Sequence, residues 1–201
     1  MLSVKIDQKD LQRLGVFING IKDTRGLMKD VGQYMTSSTQ RKIEQGIQPE
    51  NAPLTKAWKK GGLPLKDTGK VISSISFKYD NTTAVIGTEA TQGWLIHQGG
   101  TIKPKTAKKL YIPAGWKTRQ MMRKFGLTPA KCIEGMKAAG YKVFAPKGKK
   151  AVMAQQGKGD PFVLFVLKDS VDIPARPFLT VDDLDEQIIT EKAIEWLNQK
   201  I

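Results

Sequence analysis

The most constraining feature of the sequence is the stretch over residues 65–101, which has the pattern of paired β-strands. Residues 71–79 alternate, which puts Val, Ile, Phe and Tyr side chains on one face of an extended segment. Residues 80–83, Asp-Asn-Thr-Thr, supply turn chemistry, because Asn and Asp bond to their own main chain. Residues 84–88 then return as a second strand, and residues 94–98 as a third. The stretch predicts a three-stranded antiparallel meander.

Helical patterns flank this meander. Apolar residues recur at three- and four-residue spacing over residues 7–21 and 24–44, which predicts an antiparallel helix pair packed on the strands. Residues 173–179 contain two prolines and predict an extended crossing, after which Thr180 is a good N-cap for a C-terminal helix with an apolar stripe. The predicted fold is α+β, a twisted antiparallel sheet packed by an N-terminal helix pair and a C-terminal helix.

The segment at residues 102–172 reads as an inserted, β-rich lobe between the meander and the crossing. The predicted core is therefore residues 1–101 together with residues 173–201. Short strands and two short helices are predicted within the lobe, the strands at residues 109–113, 141–145, 151–155 and 161–167 and the helices at residues 116–125 and 129–139.

The net charge of +14 is concentrated in this lobe. Between Thr101 and Asp172 there are 16 Lys or Arg against 4 Asp or Glu, while the remaining residues hold 17 and 15. Such a field favours an acidic partner, either nucleic acid or an acidic protein surface, and a solvated lysine-coated surface is the alternative. The basic residues predicted to contact a subunit or partner here are Lys103, Lys105, Lys108, Lys109, Arg119 and Arg123, with Tyr111 and Trp116 interleaved among them.

A second candidate contact lies in residues 48–66, which are rich in Pro and Gly and predict an unusually long loop. Within it, Trp58, Lys59 and Lys60 combine an aromatic ring with charge. Trp58 is either a core anchor or a contact with a neighbouring subunit, since Trp is enriched at interface hot spots.

Catalytic and metal chemistry find little support in the sequence. His97 is the only histidine, and no Cys or acidic partner lies at a recognisable motif spacing from it. The single Cys132 excludes an internal disulfide and a thiolate metal cluster. The Gly-Lys pairs lack the spacing of a phosphate-binding loop. We therefore predict a protein that is not an enzyme and has no cofactor and no metal site.

Membrane association is not expected either. No apolar run approaches the roughly 20 residues that a membrane span needs. The first residues lack the basic-then-apolar layout of a signal peptide, so we expect a cytoplasmic protein.

Four short pieces of the sequence carry a family resemblance through their order. They are Thr68-Gly69 with Ser73, Ser74 and Ile75, then Val85-Ile86-Gly87-Thr88, Ile96-His97-Gln98-Gly99-Gly100, and Ile173-Pro174-Ala175-Arg176-Pro177-Phe178-Leu179. In this order they resemble the virion morphogenesis (tail completion) family of long-tailed bacteriophages, of the type found in Mu-like prophages. The resemblance covers the predicted core, residues 1–101 and 173–201.

The resemblance implies a structural protein at the head-proximal end of the phage tail, in the host cytoplasm during assembly and then in the virion. It implies a ring of copies of this chain, sixfold to match the tail tube, with tail tube and head–tail connector proteins as partners. A DNA-binding accessory protein and a head-side connector are the alternatives, and nonspecific DNA contact is compatible with each. The residues that carry the resemblance are Thr68, Gly69, Ser73, Ile75, Gly87, Thr88, His97, Gly99, Gly100, Pro174, Arg176, Pro177, Phe178 and Leu179.

Three of these residues have predicted roles. His97 is expected to be structural from its family position beside the Gly-Gly bend. Arg176, held stiff between two prolines, lies either in solvent or in a salt bridge within the fold or to a ring neighbour. Phe178, with the leucine that follows it, is predicted to be a core residue.

Overall fold

The computed structural model describes Gln12 and residues 22–59 and 62–200, and it confirms the α+β class. Two compact units are present. Unit 1 comprises Met1–Gln45, Lys70–Thr91 and Phe178–Ile201, and unit 2 comprises Gly46–Gly69 and Gln92–Pro177. Apart from Gln12, the helix predicted over residues 7–21 lies outside the described residues. The boundaries predicted for an inserted lobe stay a prediction.

The elements of the described residues follow one another in chain order. They are α1 (Arg25–Gln45), α2 (Pro53–Lys59), α3 (Lys70–Ser73), β1 (Ile75–Tyr79), β2 (Ala84–Thr88), α4 (Gly93–Gln98), β3 (Gly100–Ile102), β4 (Leu110–Pro113), α5 (Trp116–Phe125), α6 (Pro129–Ala138), β5 (Tyr141–Phe144), β6 (Ala151–Gln156), β7 (Phe162–Lys168), β8 (Val171–Ile173) and α7 (Asp183–Asn198).

Unit 1 is built on the predicted hairpin. β1 and β2 pair antiparallel from Ile75 opposite Thr88 to the turn, where Asp80 Oδ1 accepts backbone N–H groups at 2.7 and 2.8 Å. These bonds lower the pKa of the Asp80 carboxyl to about 2. α1 packs on β1 at Gly32, where a Cβ atom would come within 2.9 Å of three ring atoms of Phe77. The absence of a side chain at Gly32 therefore permits this close helix–sheet contact.

Helix α7 is joined to α1 through one buried carboxylate, that of Asp185, which is 1% exposed. Asp185 accepts hydrogen bonds from Ser38 Oγ at 2.6 Å and Tyr34 Oη at 3.0 Å, and it forms an ion pair with Lys42. Burial opposes ionisation, but these bonds and the backbone N–H of Asp182 together lower the pKa of Asp185 to about 2. The carboxylate thus fixes the start of α7 against α1.

The predicted meander is wrong in two places. Residues 70–73 form the short helix α3, because Gly69, at φ 75°, turns the chain and Ser74 N bonds back to Lys70 O at 3.2 Å. The third predicted strand, residues 94–98, is helix α4, which ends where Gly99 N donates to Leu95 O at 2.9 Å. The hairpin therefore has two strands.

Three further predictions, two about α7 and one about the loop at residues 48–66, need correction. The N-cap of α7 is Asp182, which forms a reciprocal capping box with Asp185, and it is not Thr180. The apolar stripe predicted along α7 is only partly buried, since Leu184 and Ile194 are 61% and 53% exposed. The long loop predicted over residues 48–66 contains helix α2.

Unit 2 contains a four-stranded antiparallel sheet in the order β4-β7-β6-β5, with α5 and α6 packed on one face. The strands and helices predicted between residues 109 and 167 are confirmed. A β-bulge interrupts the pairing of β6 with β7 beside Val152, so that the consecutive residues Leu164 and Phe165 are both fully buried. The core beneath the helices consists of Met122, Cys132, Met136, Val152, Ala154, Leu164 and Phe165.

Candidate functional site

Two of the four motif pieces meet in unit 2. β3 pairs antiparallel with β8, from Gly100 opposite Ile173 to Ile102 opposite Val171. Just before β3, Gly99 adopts φ 73°, and a Cβ atom there would lie 2.6 Å from the backbone N of Ala175. No other residue can take this conformation at this distance, so the Gly-Gly bend and the Ile-Pro-Ala-Arg-Pro piece fit together through Gly99.

Arg176 completes this arrangement. Its backbone N donates to Ile96 O at 2.8 Å, its Nε donates to Pro49 O at 2.7 Å, and its Nη2 donates to Glu50 O at 2.8 Å. The residue is 8% exposed, and burial lowers the pKa of its guanidinium. We call this group the Arg176 junction; its members are Pro49, Glu50, Ile96, Gly99, Ala175 and Arg176.

The junction agrees neither with a solvent position of Arg176 nor with a salt bridge within the fold. The side chain lies inside unit 2 rather than in solvent, and its partners among the described residues are backbone carbonyls rather than a carboxylate. A contact with a ring neighbour stays a prediction. The arrangement ties the closing motif to the start of the segment at residues 48–66.

A second cluster in unit 2 surrounds Arg119. Its Nη2 lies 2.8 and 2.9 Å from the two carboxylate oxygens of Asp67, and its guanidinium carbon lies 5.5 Å from the ring centre of Trp58 and 5.4 Å from that of Trp116. Arg119 is 8% exposed, and Trp58 packs against the core of unit 2. Both were candidates for partner contacts, and their surroundings fit the core-anchor interpretation of Trp58.

Lys59 lies beside this cluster. Its Nζ donates to Leu63 O at 3.1 Å. Burial lowers the pKa of Lys59, Asp67 opposes that effect, and the positive charges of Arg119 and Arg176 add to it. Lys59 therefore lies near the Asp67 carboxylate that pairs with Arg119, and Arg176 adds a further positive charge close to it. Lys60, the remaining candidate of this segment, lies outside the described residues.

The other basic candidates lie at the surface of unit 2. Lys103, Lys105, Lys108 and Arg123 are exposed, whereas Lys109 is half-buried and forms an ion pair with Asp169. Unit 2 carries 21 Lys and Arg against 6 Asp and Glu, a balance of +15, and unit 1 carries 12 against 13, a balance of −1. The positive charge therefore belongs to one compact unit.

The aromatic residues interleaved with these charges already have partners in the fold. The ring of Trp116 faces Arg119 and also Arg123, at 5.9 Å, and Tyr111 forms an edge contact with Phe165 at 5.9 Å. Trp116 is half-buried, so its ring contacts these arginines within unit 2 and only part of it is open to another stacking partner.

The remaining motif residues have structural positions. Thr68 and Gly69 form the bend before α3, and Ser74 Oγ lies 2.6 Å from Thr88 Oγ1, which joins α3 to the end of β2. Phe178 is 1% exposed in unit 1, as predicted for a core residue. The others are Ser73 at the end of α3, Ile75 buried in β1, Gly87 in β2, His97 half-buried in α4, Gly100 in β3, Pro174 and Pro177 exposed beside Arg176, and Leu179 half-buried.

Sequence reasoning missed Asp67, Asp185 and Trp94. The capping pair Asp182 and Asp185, three residues apart, was the available signal for Asp185. Trp94 was predicted to lie in a strand, but it lies on α4 and is 73% exposed.

Neither a metal-binding cluster nor a membrane-spanning helix is found among the described residues. Within residues 22–59 and 62–200, no three His, Cys, Asp or Glu side chains are grouped as a metal site would require. In the same part of the chain no helix is both long and apolar enough to span a membrane.

Comparison with known proteins decides the family. The model of the phage virion morphogenesis family matches residues 6–136, which is more than half of the chain. The chain belongs to this family. The resemblance found in the motifs is thereby confirmed, although the match extends past residue 101 and does not include the closing motif.

A curated relative from a prophage agrees with this assignment. Over 92 residues the chain is 35% identical to the Mu-like prophage FluMu G protein 2 of Haemophilus influenzae, which covers 44% of this chain. The matched part spans 60% of the relative's length. No solved structure matches the chain. The family makes this protein a structural component of phage virion morphogenesis.

Proposed function

We propose that the protein completes the tail of a long-tailed phage at its head-proximal end, where it caps the tail tube and presents the surface that joins the head. The observation that carries this proposal is the match to the phage virion morphogenesis family, and the Arg176 junction shows how motif residues hold the fold. Several motif residues make internal contacts that hold the fold, as Arg176 does with Pro49 and Glu50. A scaffold whose motifs fix its shape suits an assembly role in a virion.

Ring assembly is the mechanism by which such a scaffold would act. Each copy would present one surface to the next in a head-to-tail contact that closes into a ring, sixfold to match the tail tube. The unequal charge of the two units, +15 and −1, supports a contact between unlike surfaces. Trp94, 73% exposed on α4 just before the Gly-Gly bend, is a candidate contact with the tube or a neighbour.

Position in the virion is tested by labelling. A peptide tag is placed at the C-terminus, and gold-conjugated antibody is imaged on purified virions and on free tails. Gold at the head-proximal end of tails is expected. Gold on tailless heads would move the protein to the head side of the joint, and the head-side connector would then be the better assignment.

A DNA-binding accessory role is the second candidate, and the +15 charge of unit 2 favours it. The ring of Trp116 already faces Arg119 and Arg123 inside unit 2, which argues against its stacking on nucleic-acid bases. Duplex DNA retention measured from low to high salt decides the matter. A steep loss of binding with salt supports this role, whereas no retention at low salt rejects it.

A further inference from the structure

The four-stranded sheet of unit 2 has a second face, directed away from α5 and α6. Two rows of paired residues cross it, Phe144–Met153–Val163 and Ala151–Val166–Ile112. We call this surface the outer sheet face. Its residues are Leu110, Ile112, Lys142, Phe144, Ala151, Met153, Gln155, Val163, Val166 and Lys168.

The bulge in β7 explains why this face is apolar. Because Leu164 and Phe165 both enter the core, Val163 and Val166 on either side of them both point outward. Val163 is 41% exposed although its strand has a hydrogen-bonded neighbour on each side. Seven of the ten residues on the face are apolar, Val163 exposed and the other six half-buried, and such partly open apolar residues side by side make the face a candidate interaction site.

The charge around the face restricts what can cover it. Lys142 and Lys168 lie on the face, and the turn between β5 and β6 adds exposed lysines at positions 147, 149 and 150. No acidic side chain is among its ten residues. The same face of a second copy would be repelled, so the partner surface must combine apolar side chains with carboxylates.

Helix α7 in unit 1 offers such a surface. Its residues at helical spacing on the side opposite Asp185 and Trp196 form what we call the outer stripe of α7. The members of this stripe are Leu184, Gln187, Glu191, Ile194, Glu195 and Asn198, all exposed. The stripe contains two carboxylates and no cation. The one lysine of α7, Lys192, points to another side of the helix, where its Nζ lies 6.0 Å from the ring centre of Tyr34.

We propose that the outer stripe of α7 in one copy packs on the outer sheet face of the next copy, with Glu191 and Glu195, one helical turn apart, paired to Lys168 and Lys149. These two lysines lie level with each other on neighbouring chain segments, next to the backbone bond from Leu167 N to Lys150 O. The proposal rests on the ring assembly proposed above and names the surfaces that build it. A helix of 16 residues is about 24 Å long, enough to cross four strands spaced about 4.8 Å apart. Because the two surfaces differ and each chain carries both, the contact repeats head to tail and can close into a ring.

Charge reversal on the full chain tests the contact. The first variant carries Lys149→Glu and Lys168→Glu, the second Glu191→Lys and Glu195→Lys, and the third carries all four changes. A control carries Lys131→Glu and Lys137→Glu on α6, which packs on the opposite face of the same sheet. Thermal unfolding of each variant shows that it is folded, and light scattering after gel filtration gives its mass.

The expected result is that the wild type and the control form the ring, that the first and second variants are monomeric, and that the combined variant recovers the ring. A wild-type ring that survives both reversals would overturn this contact and leave ring assembly standing. A wild type that stays monomeric and cannot be cross-linked at high concentration would overturn ring assembly, and this contact with it.

Discussion

The Nε atom of Arg176 lies 2.7 Å from the carbonyl oxygen of Pro49, a residue 127 positions earlier in the chain. Nη2 of the same guanidinium reaches the next carbonyl, that of Glu50, at 2.8 Å. One side chain of the closing motif therefore fixes two consecutive backbone groups at the start of the segment at residues 48–66. This relationship explains why an arginine stands between the two prolines.

Arg176→Ala should lower the free energy of unfolding by about 3 kcal/mol, because two hydrogen bonds from a charged donor are lost and two carbonyls lose their partner. Arg176→Lys should recover only part of this, since one ammonium cannot reproduce the planar fork of the guanidinium. Urea unfolding measures both. Arg123→Ala, at an exposed position of α5, is the control and should change stability by no more than about 0.5 kcal/mol.

Gly99→Ala should be far more damaging than Gly69→Ala, although the two glycines have nearly the same φ, 73° and 75°. An added Cβ at Gly99 would lie 2.6 Å from the backbone N of Ala175, whereas nothing lies within 4 Å of one at Gly69. Gly69→Ala therefore costs only the free energy of holding an alanine in a left-handed backbone conformation, about 1–2 kcal/mol. Equal losses in melting temperature for the two variants would contradict the close fit at Gly99.

A similar pair tests the contact of α1 with the hairpin. Gly32→Ala should destabilise the protein, because its Cβ would press on the ring of Phe77. Gly26→Ala, near the start of the same helix, meets only Trp196 Nε1 at 3.7 Å and should stabilise it by about 0.5–1 kcal/mol. Thermal unfolding of the two variants should give shifts of opposite sign, and a stabilising Gly32→Ala would show that the helix does not touch the ring.

The buried carboxylate of Asp185 should make stability depend on pH in the acid range. Its pKa is about 2 in the folded protein, below the value of about 3.9 in an unfolded chain. The resulting stabilisation, about 2.5 kcal/mol, is fully present above pH 4 and is lost as the pH falls through 2. Asp185→Asn should therefore cost most near neutral pH, and its difference from the wild type should shrink in acid.

Chemical unfolding at a series of pH values measures this difference. Asp183→Asn is the matched control, because Asp183 is exposed in the same first turn of α7 and contributes only its interaction with the helix dipole, about 0.5 kcal/mol. If the loss in free energy of unfolding for Asp185→Asn stayed constant from pH 7 to pH 2, the ion pair with Lys42 would not set the pKa of Asp185.

The sequence predicted the parts of the fold that local periodicity determines. α1, the β1–β2 hairpin, α5 and α6 carry clear three-to-four-residue or alternating patterns, and the Asp80 turn carries its own chemistry. Residues 94–98 were misassigned because a short segment with three consecutive apolar residues, at 94–96, does not distinguish a strand from a helix. The deciding contact, Gly99 against Ala175, is distant in the chain and leaves no local signal.

The candidate site was predictable in its membership but not in its geometry. The order of the motifs identified both Gly99 and Arg176 as family residues. Nothing in their spacing indicated that the partners of Arg176 are the carbonyls of Pro49 and Glu50. The bulge that turns Val163 and Val166 outward was equally hidden, because a continuous apolar run predicts burial on both faces of the strand.

The central claim is a role in completing the phage tail, and electron microscopy of lysates lacking this gene tests it most directly. Cells carrying the phage or the induced prophage are lysed with the gene deleted, and again with it restored from a plasmid. Filled heads beside unattached tails of irregular length, with normal virions after restoration, are the predicted result. Normal virions in the deletion lysate would contradict the claim.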